Sequence, residues 1–127
     1  MGRKKTYDLS NVLEKMKHVF LSNGYEATSL DDLVNATGLL RGSLYAAFGS
    51  KRSMFLEVLN ACLEKHPNAE DTWEIILIGM IELSSRDKLI RNKLKVFLDN
   101  ISNDQLIATL GKTIVRRSKI NGDDIYE

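Results

Sequence analysis

Residues 28–51 read TSLDDLVNATGLLRGSLYAAFGSK, and this stretch decides the fold. Thr28 and Ser29 are helix-start residues, and Asp31 and Asp32 place negative charge in the first turn, where the helix dipole favours it. Leu30, Leu33, Val34 and Thr37 follow the spacing of one buried side, and Gly38 supplies the positive-φ cap that ends the helix. Leu44, Ala47 and Phe48 continue a buried side on a second short helix, which Gly49-Ser50 closes. Helices this short are marginal alone in water, so each needs a packed neighbour.

The second short helix has an outer face of small or flat residues. Gly42, Tyr45 and Ala46 point away from Leu44 and Phe48, with Arg41 and Ser43 beside them and no acid among them. Arg41 and Tyr45 can bond phosphates or base edges, Gly42 permits close approach, and Ala46 can touch a thymine methyl. Lys51 and Arg52 follow within reach of phosphate. The second helix of a helix-turn-helix needs such a face. The plainer reading is an αα-corner with a polar outside.

Working outward, Leu9, Val12, Leu13, Met16, Val19 and Phe20 form one apolar stripe and predict a helix from about Ser10 to Asn23, stopped by Gly24. His18 falls on its polar side. Before it, Arg3, Lys4 and Lys5 read as a phosphate-binding or minor-groove arm, or as a solvated tail. Met54, Phe55, Val58, Leu59, Cys62 and Leu63 predict a longer helix over 51–65, with Pro67 past its end.

From Phe20 to Phe55 the chain resembles the DNA-binding domain of the tetracycline-repressor (TetR) family of bacterial transcription regulators. The marks are Gly24-Tyr25, Ala27-Thr28-Ser29, Gly38-Leu39, Arg41-Gly42-Ser43-Leu44-Tyr45, Phe48 and Ser50-Lys51, in family order and spacing. The resemblance implies that Thr28 is a phosphate-contacting N-cap, Tyr45 a groove and phosphate contact, and Lys51 a phosphate clamp opening the fourth helix. That helix would link the reader to a regulatory half, and movement along it would change the distance between two readers of a dimer. Leu40 departs from the pattern, standing where the family carries a small or polar cap. A weaker start of the recognition helix, or inward packing of Leu40, is expected.

The composition fits these expectations. Net charge is only +1, yet residues 1–66 carry nine Lys/Arg against seven Asp/Glu, while residues 67–127 carry nine against ten. A local basic patch binds phosphate even on a nearly neutral chain. No apolar run approaches the roughly 18 residues of a membrane span, and MGRKKTYDLS lacks a signal peptide's apolar core. Met1-Gly2 with Thr6 fits the myristoylation pattern, for which a basic arm is the plainer account. A lone Cys62 excludes a disulfide framework and suits a reducing cytoplasm. Cys62 and His66 share a helix face at metal-ligand spacing, but His18 is the only other His or Cys, so packing explains Cys62 better and no metal is assigned. No phosphate loop, paired-histidine motif or nucleophile elbow is present, and neither an enzyme nor a cofactor is expected.

Residues 68–72, NAEDT, read as a polar linker. Beyond them lie three stripes: Trp73, Ile76, Leu77, Met80 and Ile81; then Leu89, Ile90, Leu94, Phe97, Leu98 and Ile101; then Leu106, Ile107, Leu110, Ile114 and Val115, capped by Asn103 or Asp104. This half resembles the family's regulatory half less specifically, and its two long terminal dimer helices would lie past Gly122. Trp73, Met80 and Phe97 are candidates for a small apolar ligand site, with core packing the preferred account.

The expectation is an all-α protein with a three-helix, homeodomain-like helix-turn-helix domain at 1–50, a linking helix at 51–67 and a short helical lobe at 68–127. Its expected function is sequence-specific binding of double-stranded DNA as a cytoplasmic transcriptional regulator, a repressor in first place. A homodimer is expected, although its usual terminal helices are not seen. The alternative is a helical protein-interaction module with degenerate DNA binding that pairs with other regulators.

Overall fold

The computed structural model describes residues 7–122, so the expected Arg3, Lys4 and Lys5 arm lies outside the described residues. Seven helices and no strand occur among them: α1 (Leu9–Asn23), α2 (Leu30–Thr37), α3 (Arg41–Phe48), α4 (Lys51–Lys65), α5 (Glu70–Glu82), α6 (Lys88–Leu98) and α7 (Asn103–Ser118). The all-α expectation holds. The chain divides between Ala61 and Cys62, inside α4, into two compact units.

In the first unit, α1 packs on α2 and α2 on α3. Val12, Met16 and Phe20 are the buried side of α1, while Leu9, expected in that stripe, is exposed. The reason is positional: Leu9 is the first helical residue, and Asp8 caps the helix there by accepting from Ser10 N at 3.0 Å. Phe20 sits edge-on to Phe55 at 5.2 Å between ring centroids, and Tyr25 edge-on to Phe55 at 5.5 Å. This aromatic trio joins the end of α1 to α4. Gly24, expected as a left-handed helix cap, takes φ 79° with ψ −173°, an extended positive-φ state that essentially only glycine tolerates. Gly38 is a true left-handed cap at φ 74°, ψ 3°.

In the second unit, α5 packs on both α6 and α7. Its buried residues include Ile75 and Ile78 as well as Trp73, Ile76 and Leu77. A one-sided stripe was expected; the helix is instead apolar nearly all round through 75–78, as a central helix must be. Glu70–Thr72, read as linker, already form its first turn, whose Glu70 and Asp71 suit the dipole. Helix α7 departs furthest from expectation. Ile107, Ile114 and Val115 are exposed, and Thr113 is its buried residue, its hydroxyl bonded to Thr109 O at 2.8 Å. Leu106 and Leu110 of the expected stripe are half-buried, and two ion pairs add to the packing on α5: Arg116 and Arg117 both reach Glu74, at 3.3 and 2.9 Å. Its cap is Ser102, which accepts from Gln105 N, rather than Asn103 or Asp104.

Candidate nucleic-acid interface

Helix α3 is anchored by Leu44, which is fully buried, and turns nearly everything else outward. Arg41, Gly42, Ser43, Tyr45 and Ala46 are all exposed, so the expected outer face exists as a surface. Ala47, expected inside, is exposed as well, and Phe48 is half-buried. With one deep anchor in eight residues, the helix depends on the turns at either end for its position.

Those turns are built from specific polar contacts. Before α2, the capping box closes on Ser29: its hydroxyl accepts from Asp32 N at 3.0 Å, and the Asp32 carboxylate accepts from Ser29 N at 2.9 Å. The N-cap is therefore Ser29, not Thr28. Thr28 is buried and its hydroxyl donates to Gly24 O at 2.6 Å, which locks the turn between α1 and α2. Between α2 and α3, Gly38 reverses the chain and Leu40 leads in. Leu40 does not pack toward Leu44; it is 77% exposed and supplies no side-chain cap, because an aliphatic group has no acceptor to offer the helix start.

After α3, Gly49 and Ser50 make the break, and Ser50 Oγ accepts from Ser53 N at 3.0 Å to start α4. Lys51 then turns back on the fold. Its ammonium donates to Tyr25 O at 3.1 Å and Thr28 O at 3.0 Å and lies 4.4 Å from the Tyr25 ring centroid. Sequence reasoning assigned Lys51 outward only; a link across 26 residues leaves no local signal.

Arg41 also has an intramolecular partner that sequence reasoning missed, an ion pair with Asp31 in the first turn of α2. Of the sequence-predicted site residues, the fold thus brings Arg41, Gly42, Ser43, Tyr45 and Ala46 onto one short helix, with Thr28 and Lys51 joined in the turn beside it. Ser43 and Ala46 also line a groove shared with Tyr7 and Glu57, where the carboxylate makes a phosphate unwelcome. Arg41 and Tyr45 do not line that groove.

The remaining candidates lie elsewhere. Trp73 is buried with its ring 6.1 Å from that of Phe97, while Met80 is half-buried. Cys62 is buried and His66 exposed, and among the described residues no three His, Cys, Asp or Glu side chains gather as a metal would require. Among those residues, too, no helix is long and apolar enough to cross a membrane.

Residues 12–58 match the family model described as bacterial regulatory proteins, tetR family. The uncharacterized HTH-type transcriptional regulator YezE of Bacillus subtilis (strain 168) is 45% identical over 64 residues, 50% of this chain and 33% of that protein. The HTH-type transcriptional repressor ComR of Escherichia coli (strain K12) is 44% identical over 64 residues, 50% of this chain and 30% of that protein. A longer match, 27% identical over 97 residues, covers 75% of this chain and 52% of the HTH-type transcriptional repressor AcnR of Corynebacterium efficiens. The chain thus spans about a third of the length of the first two curated relatives. No solved structure matches it.

Proposed function

We propose that this chain, which belongs through residues 12–58 to the tetR family of bacterial regulatory proteins, is a sequence-specific DNA-binding regulator of transcription and acts as a repressor. One observation carries the reading: α3 gives up burial to present Arg41, Gly42, Tyr45 and Ala46 outward from a single anchor. An eight-residue helix so exposed is fit for insertion into a major groove. ComR and AcnR, both called repressors, support the sign of regulation.

In this mechanism Gly42 to Ala46 enter the groove. Helix α3 holds no Asn or Gln, so Arg41 to guanine is its clear two-bond base contact. The rest of the specificity comes from DNA shape and half-site spacing. Tyr45 reaches phosphate. Lys51, with two of its three protons given to carbonyls, has one left for a phosphate at the α2 start. Thr28 contributes through the turn that it locks rather than through its own hydroxyl.

We divide the chain into a reader at 1–50, a linking helix at 51–67 and a lobe at 68–127. We assign it to the cytoplasm, to a homodimer, to no enzymatic reaction, and to control by a small apolar ligand near Trp73, Met80 and Phe97. A second reading, a helical interaction module, is favoured by the exposed Leu40 beside the uncapped helix start.

Selection from a random duplex library at two salt concentrations tests the proposal. Enrichment of a palindrome is expected. Retention that vanishes with salt and enriches nothing overturns it, and unchanged affinity in both Tyr45→Ala and Lys51→Ala removes the site assignment. A strictly monomeric solution mass favours the second reading.

A further inference from the structure

The ion pair between Arg41 and Asp31 does little for folding. The two side chains are 53% and 70% exposed, and pairs so wet contribute little to stability. Nor does the hydrogen-bonded cap of α2 use Asp31, since Asp32 completes the capping box with Ser29 and also accepts from the Asn23 amide. Of two adjacent carboxylates, one is committed to the cap. The other meets a guanidinium ten residues away, on the helix that faces outward.

We propose that Asp31 is a positioning residue that makes Arg41 read guanine rather than bind any nearby phosphate. This rests on the DNA-binding reading above. The guanidinium has two two-donor edges, Nε with Nη2 and Nη1 with Nη2. Asp31 accepts from Nη2, which carries two protons, so one edge stays complete whichever proton is taken. A complete edge matches O6 and N7 of guanine, the commonest specific contact in the major groove. The same carboxylate repels a phosphate that approaches Arg41, whereas the guanine edge carries no net charge and meets much weaker repulsion. A long side chain that would otherwise sample the backbone is held for the base. Asp31 thereby exchanges general affinity for discrimination, on the helix whose only strong base-reading group is Arg41.

The test compares the full chain with Asp31→Ala and Arg41→Ala in duplex-library selection, with circular dichroism to verify that each variant keeps its helices. The position where the wild type enriches guanine and Arg41→Ala does not identifies Arg41's base. Asp31→Ala is expected to bind bulk duplex as tightly or more tightly, with a salt slope steeper by about one as Arg41 turns to phosphate. At the identified position its preference for guanine is expected to fall about fivefold or more. An Asp31→Ala preference equal to that of the wild type overturns the proposal and leaves the DNA reading standing. So does the absence of any position that Arg41→Ala relaxes. A wild type that enriches no sequence at all overturns the DNA reading and the proposal with it.

Discussion

Helix α3 in the first unit and helix α5 in the second divide their surface in opposite ways. Helix α3 buries Leu44 alone out of eight residues, whereas α5 buries seven of thirteen, four of them the consecutive run Ile75 to Ile78. A helix that keeps its face for an outside partner cannot be positioned by area, because little of it is removed from water. It must be positioned by its ends. The α2 capping box, the glycine reversal and the Lys51 link cluster around α2 and α3 for that reason, although α3 itself, like α5 at Ala69, begins with no side-chain cap.

The comparison is broken most forcefully at the single anchor. Leu44→Ala removes the deep contact of α3 and should cost about 2–5 kcal/mol, as should Ile76→Ala in α5. The distinction lies in where the damage falls. In hydrogen exchange, Leu44→Ala is expected to deprotect the amides of Arg41–Phe48. Ile76→Ala leaves the α5 amides the better protected set, because Ile75, Leu77 and Ile78 stay buried. Equal deprotection of the two helices would mean that α3 is held by more than its anchor and ends.

Caps come next in size. Ser29→Ala removes the hydroxyl that accepts from Asp32 N, while the bond from the backbone N–H of position 29 to the Asp32 carboxylate stays, and should lower stability by about 0.5–2 kcal/mol in urea denaturation. Ala69→Ser, at an extended N-cap with φ −71° and ψ 148°, should raise it by about 0.5–1 kcal/mol. A gain at Ala69 together with a loss at Ser29 sharpens the contrast; two null results would remove the role given to ends.

Glycines sort the same way with smaller effects. Gly111 lies inside α7 with open space around it, so Gly111→Ala should stabilise by roughly 0.4–1 kcal/mol. Gly38 has equally open space but φ +74°, and Gly38→Ala should destabilise by about 1 kcal/mol through strain in the turn that aims α3. Thermal melts of the two variants, shifted in opposite directions, are the expected result.

How much of this could be read in the chain depended on the range of the interaction. The helix ends at Gly24, Gly38 and Gly49, the acidic start at Asp31-Asp32 and the outward face of α3 follow from neighbours one to four residues apart, and they were legible. The N-cap assignment slipped by one because Thr28 and Ser29 are chemically alike; only the fold reveals that Thr28's hydroxyl is directed to Gly24 O. Lys51's carbonyl partners and the Asp31–Arg41 pair lie 23 to 26 and ten residues apart, beyond any periodic pattern. In α7 the apolar spacing of Leu106, Ile107, Leu110, Ile114 and Val115 predicted a buried stripe, yet only Leu106 and Leu110 are half-buried, the other three face outward, and Glu74 adds two arginine partners to the helix. Periodicity identifies an apolar face; it does not say what covers it.

The smallest expected effect concerns the charged face of α1. Glu14 lies 3.0 Å from Lys17 and 3.2 Å from His18, one helical turn along in each case. Partial burial pushes its carboxyl upward and is the largest single influence, but the hydrogen bond and charge of Lys17, with the charge and hydrogen bond of His18, together outweigh it and hold the carboxyl below the usual range. A group depressed in the folded state stabilises above its unfolded value and loses that contribution as pH falls through the folded value. Wild type should therefore melt slightly above Glu14→Gln at neutral pH, and the gap should close as pH falls below 4.5, the unperturbed carboxyl value. Because the Glu14 side chain is 54% exposed, added salt should narrow the gap at neutral pH as well. A gap that persists in acid would assign the difference to helix propensity at position 14 rather than to charge, and the ion pairs of α1 would then carry none of its stability.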